Sequence, residues 1–380
     1  MKKIKVLRVI ARMNIGGPAF LIKELMTGLD HRKFEQVLVY GLCGEDEKEI
    51  EGIYQLGRTQ RLNSLSRNVS IRSDFQAINS IRRTIRAEKP DIIDTHTFKA
   101  GFLVRLIYLF TLKKNVKIVH HYHGHLLNGY FPVIISMLYK IIEKILAKRT
   151  DAIITDGETI TNELVASGIA SSKKTIHLTP GVVPPNSLLI PPKQLGIVTS
   201  EHKLVVAFIG RLVPIKRPDR FLDLVKEMSK KSHDCTFLIY GEGELRDVVL
   251  EQIINENIPI ELRPFEKDIY KVLSNVDLLV ITSDNEGTPL TVMEASYAGV
   301  PCLGTNVGSM RDIIKDGVNG YLVDTTVSSL VSALQGILKN KKEFRKIQFN
   351  AANYASEHFN IREFIKAHEI LYLDLHNSGN

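Results

Sequence analysis

The sequence predicts an α/β protein built from two tandem, doubly wound, Rossmann-like domains. Apolar, β-branched runs alternate with helix-period segments along the whole chain, the rhythm of parallel sheets covered by helices. A proline-dense break from Thr179 to Pro192 splits that rhythm into two series. At 380 residues, the chain also exceeds what a single core ordinarily supports.

The first series opens with the strand Val6 to Ile10. A glycine turn follows, then an apolar-periodic helix from Ala19 to Leu29 and a second strand, Gln36 to Tyr40. Asp91 to Asp94, Val116 to His120 and Asp151 to Thr155 read as further strands with helices between them. The second series begins at Leu204 to Gly210 and continues with Cys235 to Gly241 and Val276 to Ile281. The last of these is a near-continuous apolar run, as expected of a parallel strand buried on both faces. An amphipathic final helix, Ile361 to Leu375, lies beyond the elements the second domain needs. The predicted boundaries are 1–183 for the first domain, 184–200 for the linker, 201–358 for the second domain and 359–380 for the last helix.

Composition narrows the function classes. The chain is 44% apolar and 24% charged, with three scattered cysteines, Cys43, Cys235 and Cys302, in no metal-binding spacing. No apolar run reaches spanning length, and the N-terminal stretch carries charges inside its apolar residues, unlike a signal peptide. A cytoplasmic location is the expectation. Residues 1–180 hold 28 Lys and Arg against 17 Asp and Glu, a net +11, whereas the remainder is net −3. The basic half suits an anionic partner such as a membrane surface or phosphorylated acceptor, or simply a solvated surface. Nucleic acid is not expected, because no binding motif or aromatic and basic interleaving is present.

The most informative segment is Ser283-Asp284-Asn285-Glu286-Gly287-Thr288-Pro289-Leu290-Thr291-Val292-Met293-Glu294. It follows a buried strand, turns at Gly287 and enters a helix, with Pro289 suiting the first helical position and Thr288 the cap. Glu286 then lies at a strand's carboxyl end and Glu294 about one and a half turns into the helix. Ligands of open α/β sheets bind at that edge, where free helix N–H groups attract phosphate.

Three other segments carry candidate chemistry. Gly16 and Gly17 follow the first strand and let a ligand approach the backbone; the pattern is not that of dinucleotide binders. Arg211 and Lys216, after the first strand of the second domain, suit a diphosphate, and surface cations are the plain alternative. His120, His121, His123 and His125 crowd the end of another strand, and His96 ends a neighbouring one. No cysteine or nearby carboxylate in sequence completes a metal set, so no metal is expected; one histidine facing a cleft, with the others packed or hydrogen-bonded, is the favoured reading. Ile134, Leu138, Ile141 and Ile145 alternate at helical spacing with Lys140, Lys144 and Lys148. Such a helix either packs on a sheet with its lysines in water or rests on anionic lipid.

Taken together, these segments resemble the retaining glycosyltransferases of family 4, with the GT-B fold, that build bacterial surface polysaccharides and glycolipids. The likeness extends from the Gly16-Gly17 loop to the Gly317–Val323 turn. It implies that Glu286 contacts donor-sugar hydroxyls, Glu294 the nucleotide ribose, and Arg211 and Lys216 the donor diphosphate. Gly287, Thr288, Pro289 and Leu290 would complete the donor loop, and Gly16 and Gly17 would lie near the phosphate. His123 would close over sugar and acceptor, with His96 and His125 as acceptor-side candidates. The first domain becomes an acceptor domain, the second a donor domain, and the last helix crosses back onto the first. Phe20, Asp94 and Ser309 depart from the family pattern, and Thr288 in place of a frequent Phe resembles members that use UDP-sugars. The implied activity is metal-independent transfer of a hexose or N-acetylhexosamine from a UDP-sugar, with no cofactor, to a glycan or polyprenyl-phosphate-linked acceptor at the inner face of the plasma membrane. A sugar-nucleotide epimerase or a non-catalytic nucleotide-sugar sensor of the same plan are the competing readings.

Overall fold

The computed structural model describes residues 2–45, 47–110, 116–124, 133–184 and 203–378. These form two compact units, one from residues 1–180 and 361–380, the other from 181–360. His125 and the proline-rich stretch from residue 185 onward fall outside the described residues.

The first unit is a seven-stranded parallel sheet: β1 (Ile4–Ile10), β2 (Phe34–Leu42), β3 (Arg58–Ser66), β4 (Ile92–His96), β5 (Lys117–Tyr122), β6 (Ala152–Thr155) and β7 (Thr175–His177). Its strand order is β3-β2-β1-β4-β5-β6-β7. The second unit is a six-stranded parallel sheet of β8 (Leu204–Ile209), β9 (Cys235–Tyr240), β10 (Ile260–Arg263), β11 (Leu278–Ile281), β12 (Cys302–Thr305) and β13 (Gly320–Val323), ordered β10-β9-β8-β11-β12-β13. Both are doubly wound. Each sheet reverses its winding beside its first strand, between β1 and β4 and between β8 and β11. Ligands of such sheets bind outside the carboxyl ends of the strands at this switch point, which directs attention to the loops after β1, β4, β8 and β11.

Central strands are buried along nearly their full length, as the apolar run of β11 requires; β1 and β4 bury polar residues as well. In the second unit Val206, Phe208, Phe221, Leu278 and Val280 share one core, and Leu279, Met293, Val300 and Cys302 another.

The first unit encloses a charged core. Arg8 on β1 and Asp94 on β4 are fully buried and ion-paired. The Tyr372 hydroxyl accepts from Arg8 Nη1 at 2.8 Å and donates to Asp94 Oδ2 at 2.8 Å. Gln36 on β2 accepts from the guanidinium and donates to the Met26 carbonyl. Tyr372 lies on the C-terminal helix Ile361–Asn377, whose ring also packs edge-on against Phe34. One hydroxyl therefore ties the last helix into the first sheet. Further hydrogen bonds to its members stabilise a buried charge pair; Tyr372 supplies one to each, while Asp94 Oδ1 has no partner among the described residues. Tyr372→Phe is expected to cost about 1–3 kcal/mol and to lower the thermal unfolding midpoint by several degrees; an unchanged midpoint would contradict this role.

Candidate functional site

In the second unit, the loops after β8 and β11 are locked together. Pro214–Lys216 forms a short 3₁₀ turn and Arg217 follows with φ +50°. The Thr282 hydroxyl lies 3.0 and 2.8 Å from the carbonyl oxygens of Lys216 and Arg217. Asp284 accepts from Arg220 and Arg217, and its backbone N–H donates to the Ile215 carbonyl. This scaffold brings the Lys216 ammonium to 2.6 and 2.7 Å from the two oxygens of Glu286. Ser283 Oγ donates to the same carboxylate at 2.6 Å.

The Glu286 backbone is held as tightly as its side chain. The Ser309 N–H donates to its carbonyl at 3.1 Å. Gly308, at φ +53°, lies so close that an added Cβ would come within 1.9 Å of that oxygen. Any other residue there would push the loop aside. Glycine at 308 is thus a requirement of the Glu286 loop.

Sequence and structure differ at the helix start. The helix spans Leu290–Tyr297 with Pro289 at the cap position in extended backbone, so Thr288 stands one residue before the cap. Its first turn follows directly on the Glu286-Gly287 loop. Glu294 lies in the second turn of this helix, partly exposed, and burial pushes its carboxyl up to about 7. Arg211 is exposed, and among the described residues its side chain has no ion-pair or hydrogen-bond partner. The structure thus joins Lys216 to Glu286 and leaves Arg211 available on the same loop.

In the first unit, the helix Gly17–Gly28 starts directly after Gly16, with Pro18 in its first turn and no side-chain cap. Gly16 is extended, and an added Cβ would meet nothing closer than 3.9 Å. No contact among the described residues demands glycine there.

The histidines are hydrogen-bonded, and two carboxylates that the sequence did not connect with them supply most of their partners. His121 Nε2 and His123 Nδ1 lie 2.7 and 3.0 Å from the two oxygens of Asp156, which follows β6. His96 Nε2 lies 3.0 Å from Asp94 Oδ2, and His96 Nδ1 is 3.0 Å from His123 Nε2. His120 stands apart. It bonds Thr95 and packs over Gly101, where a Cβ would come 2.2 Å from its ring. Burial works against the charge of Asp94, yet His96 and Arg8 hold its carboxyl well below the usual range. Burial pushes His96 down to about 4 despite the pull of Asp94. His123 spends both ring nitrogens inside this cluster. Neither Asp156 nor the pairing of His121 was visible in sequence; a lone Asp after a strand carries no pattern, and strand alternation alone separates neither His121 nor His123 from core residues.

The helix Val133–Ala147 also departs from simple packing on a sheet. Its inner face is Tyr139, Glu143, Leu146 and Ala147, and buried Glu143 pairs with both terminal nitrogens of Arg105. Ile134 is 81% exposed, and Ile135, Met137, Leu138, Ile141 and Ile145 are exposed with it. No helix among the described residues is long and apolar enough to cross a membrane.

With this geometry in hand, comparison with known proteins is decisive. Residues 15–184 match the family model "Glycosyltransferase Family 4", and residues 194–354 match "Glycosyl transferases group 1". The chain is a GT-B glycosyltransferase. It is 27% identical over 356 residues, 90% of each chain, to an Escherichia coli UDP-Gal:alpha-D-GlcNAc-diphosphoundecaprenol alpha-1,3-galactosyltransferase. It is 24% identical to a capsular polysaccharide biosynthesis glycosyltransferase of Staphylococcus aureus, over 68% of this chain and 70% of that one. Among solved structures, a sucrose-phosphate synthase from Thermosynechococcus elongatus superposes with a TM-score of 0.82 at 15% identity, covering 99% of this chain and 100% of that one. The Anabaena protein HepE in complex with UDP superposes with a TM-score of 0.74 at 17% identity, over 98% of this glycosyltransferase and all of HepE. These likenesses place the loops after β8 and β11 within the GT-B fold.

The raised Glu294 carboxyl gives a signed expectation. Its folded value, about 7, lies above its ordinary 4.5. The site therefore costs nothing at low pH and costs increasing stability as pH rises from 4.5 through 7. Glu294→Gln removes that cost. The variant is expected to be more stable than the parent by about 1–3 kcal/mol at pH 8 and equal to it near pH 4.5. A stability difference independent of pH would refute the assignment.

Proposed function

We propose that this glycosyltransferase moves a hexose or N-acetylhexosamine from a UDP-sugar to a hydroxyl of a glycan or polyprenyl-phosphate-linked acceptor, with retention of configuration. The observation that carries the reading is the Lys216–Glu286 pair at the switch point of the second sheet, with Arg211 on the same loop. Arg211, Lys216 and the helix N-terminus at Leu290 would receive the diphosphate. Glu286 would accept from donor-sugar hydroxyls and Glu294 from the ribose, with Gly287, Thr288 and Pro289 shaping the loop. Gly16 and Gly17 would leave room for the phosphate.

In the proposed step, the bond from the sugar's anomeric carbon to the diphosphate oxygen breaks. The acceptor oxygen forms its new bond on the same face, and the acceptor's proton passes to the departing phosphate. Preorganised cations favour this because they meet charge as it develops, and the leaving diphosphate needs no metal ion. His123, with both ring nitrogens engaged, is given an orienting role with His96 and no proton transfer. A UDP donor is supported by the name of the Escherichia coli relative and by the UDP-bound neighbour.

The acceptor's lipid anchor is supported by the same relative's name and by the exposed apolar face of Val133–Ala147. Lys144, Lys148 and Arg149 flank that face without an acidic partner among the described residues, in the half of the chain that is net +11. An apolar stripe edged by cations suits the surface of an anionic bilayer.

Two measurements test these readings. In a thermal-shift screen of UDP- and GDP-sugars, one UDP-sugar is expected to raise the melting temperature; Lys216→Ala and Glu286→Ala are each expected to lower turnover at least a hundredfold. Stabilisation by a GDP-sugar alone would overturn the donor. The protein is expected to sediment with phosphatidylglycerol vesicles and not with phosphatidylcholine vesicles, with Ile141→Glu/Ile145→Glu weakening association more than tenfold. Equal binding to both lipids, or to neither, would overturn the membrane contact.

A further inference from the structure

The histidine cluster of the first unit holds more nitrogen than a hydrogen-bonded core needs. His96 and His121 are buried and His123 is nearly so, and one ring nitrogen from each lies within 4.8 Å of the others. The outer nitrogen of every ring faces a carboxylate: Asp94 for His96, and the two oxygens of Asp156 for His121 and His123. An ionised carboxylate only accepts, so these outer nitrogens carry the ring hydrogens. In neutral imidazoles the inner nitrogens are then bare. His96 Nδ1 and His123 Nε2 face each other at 3.0 Å, a contact made either by one shared ring hydrogen or by a cation that both nitrogens bind. His121 Nδ1, buried and without a hydrogen-bond partner among the described residues, is the third nitrogen left over.

We propose that His96, His121 and His123 bind one divalent transition-metal ion of zinc's chemical class. Bonds of about 2.0–2.1 Å to imidazole place two ligand nitrogens roughly 3.0–3.4 Å apart, the separation His96 and His123 already have. His121 offers its ligand nitrogen within 4.8 Å of those two. Histidine ligands whose far nitrogen donates to a carboxylate are oriented and made more basic by it, and Asp94 and Asp156 give all three rings that support. Asp94 is itself fixed by Arg8 and Tyr372. Imidazole donors select zinc, cobalt, nickel or copper over magnesium and calcium. Three nitrogens leave at least one position for an oxygen ligand, water or a hydroxyl. The site uses none of the residues proposed to hold the donor diphosphate.

The test is cobalt and zinc binding by the full chain, without an affinity tag and after chelator treatment. One equivalent of Co²⁺ is expected to produce visible ligand-field bands that Zn²⁺ abolishes. His121→Phe keeps an aromatic ring beside His368 and Phe364 and is expected to lose the bands. Asp156→Asn is expected to weaken binding by 10- to 100-fold, and it serves alone if the phenylalanine variant does not fold. Absence of stoichiometric binding would leave the cluster holding a shared proton and overturn the proposal. Binding that persists unchanged in a folded variant would place the ion elsewhere and overturn it equally. Because metal binding is read by absorbance and stoichiometry, its failure is separable from failure of sugar transfer.

Discussion

The pairing of Lys216 with Glu286 is the constraint around which the β8 and β11 loops of this glycosyltransferase are arranged. Glu286 is buried, so its carboxylate must be matched or the loop would lose several kcal/mol of stability. The match is supplied by a lysine seventy residues earlier in the chain, from a loop on the neighbouring strand. Everything nearby serves that meeting. Thr282 holds the carbonyls of the lysine turn, Arg220 and Asp284 cross-link the two loops, Ser283 takes a second bond to the carboxylate, and Gly308 admits the Glu286 carbonyl. A site so fixed before any ligand arrives spends little reorganisation on binding, which is how electrostatic catalysis gains its advantage.

The first unit solves a similar problem with a longer network. Arg8, Asp94 and Tyr372 form a buried charged core that joins the first strand, the switch-point strand and the last helix of the chain. Asp94 then passes its second role to His96, and the network runs on through His123 and Asp156 to His121. Structural anchoring and site geometry here share one carboxylate. A change at the C-terminal helix would therefore be felt by the histidines at the carboxyl edge of the sheet.

What could be read from sequence follows burial. The strands β8 and β11 were legible because their residues are apolar, and β1, β4 and β5 because each carries a short apolar, β-branched stretch beside its polar residues. The edge strands were not: β3 reads Arg58 to Ser66, β7 is three residues long, and β10 alternates half-buried with exposed residues, so none carries an apolar run. Glu286, Glu294, Arg211 and Lys216 were legible because turn chemistry and strand ends surround them. Ser283, Arg220, Asp284 and Asp156 were not, since each matters only through a partner distant in sequence. Periodicity revealed the amphipathic helix at Val133–Ala147. It left open whether the apolar stripe packs on a sheet or faces outward, because that depends on Arg105 capturing Glu143 from the helix before it.

The most direct measurement is a double-mutant cycle on donor affinity, using Lys216→Ala, Glu286→Gln and the combined variant, with calorimetric titration of the stabilising UDP-sugar. If the pair acts as one unit, the effects are strongly non-additive, and the double variant binds within a fewfold of the weaker single variant. Additive losses would mean that the two residues meet the donor independently, contradicting the claim that their pairing organises the site.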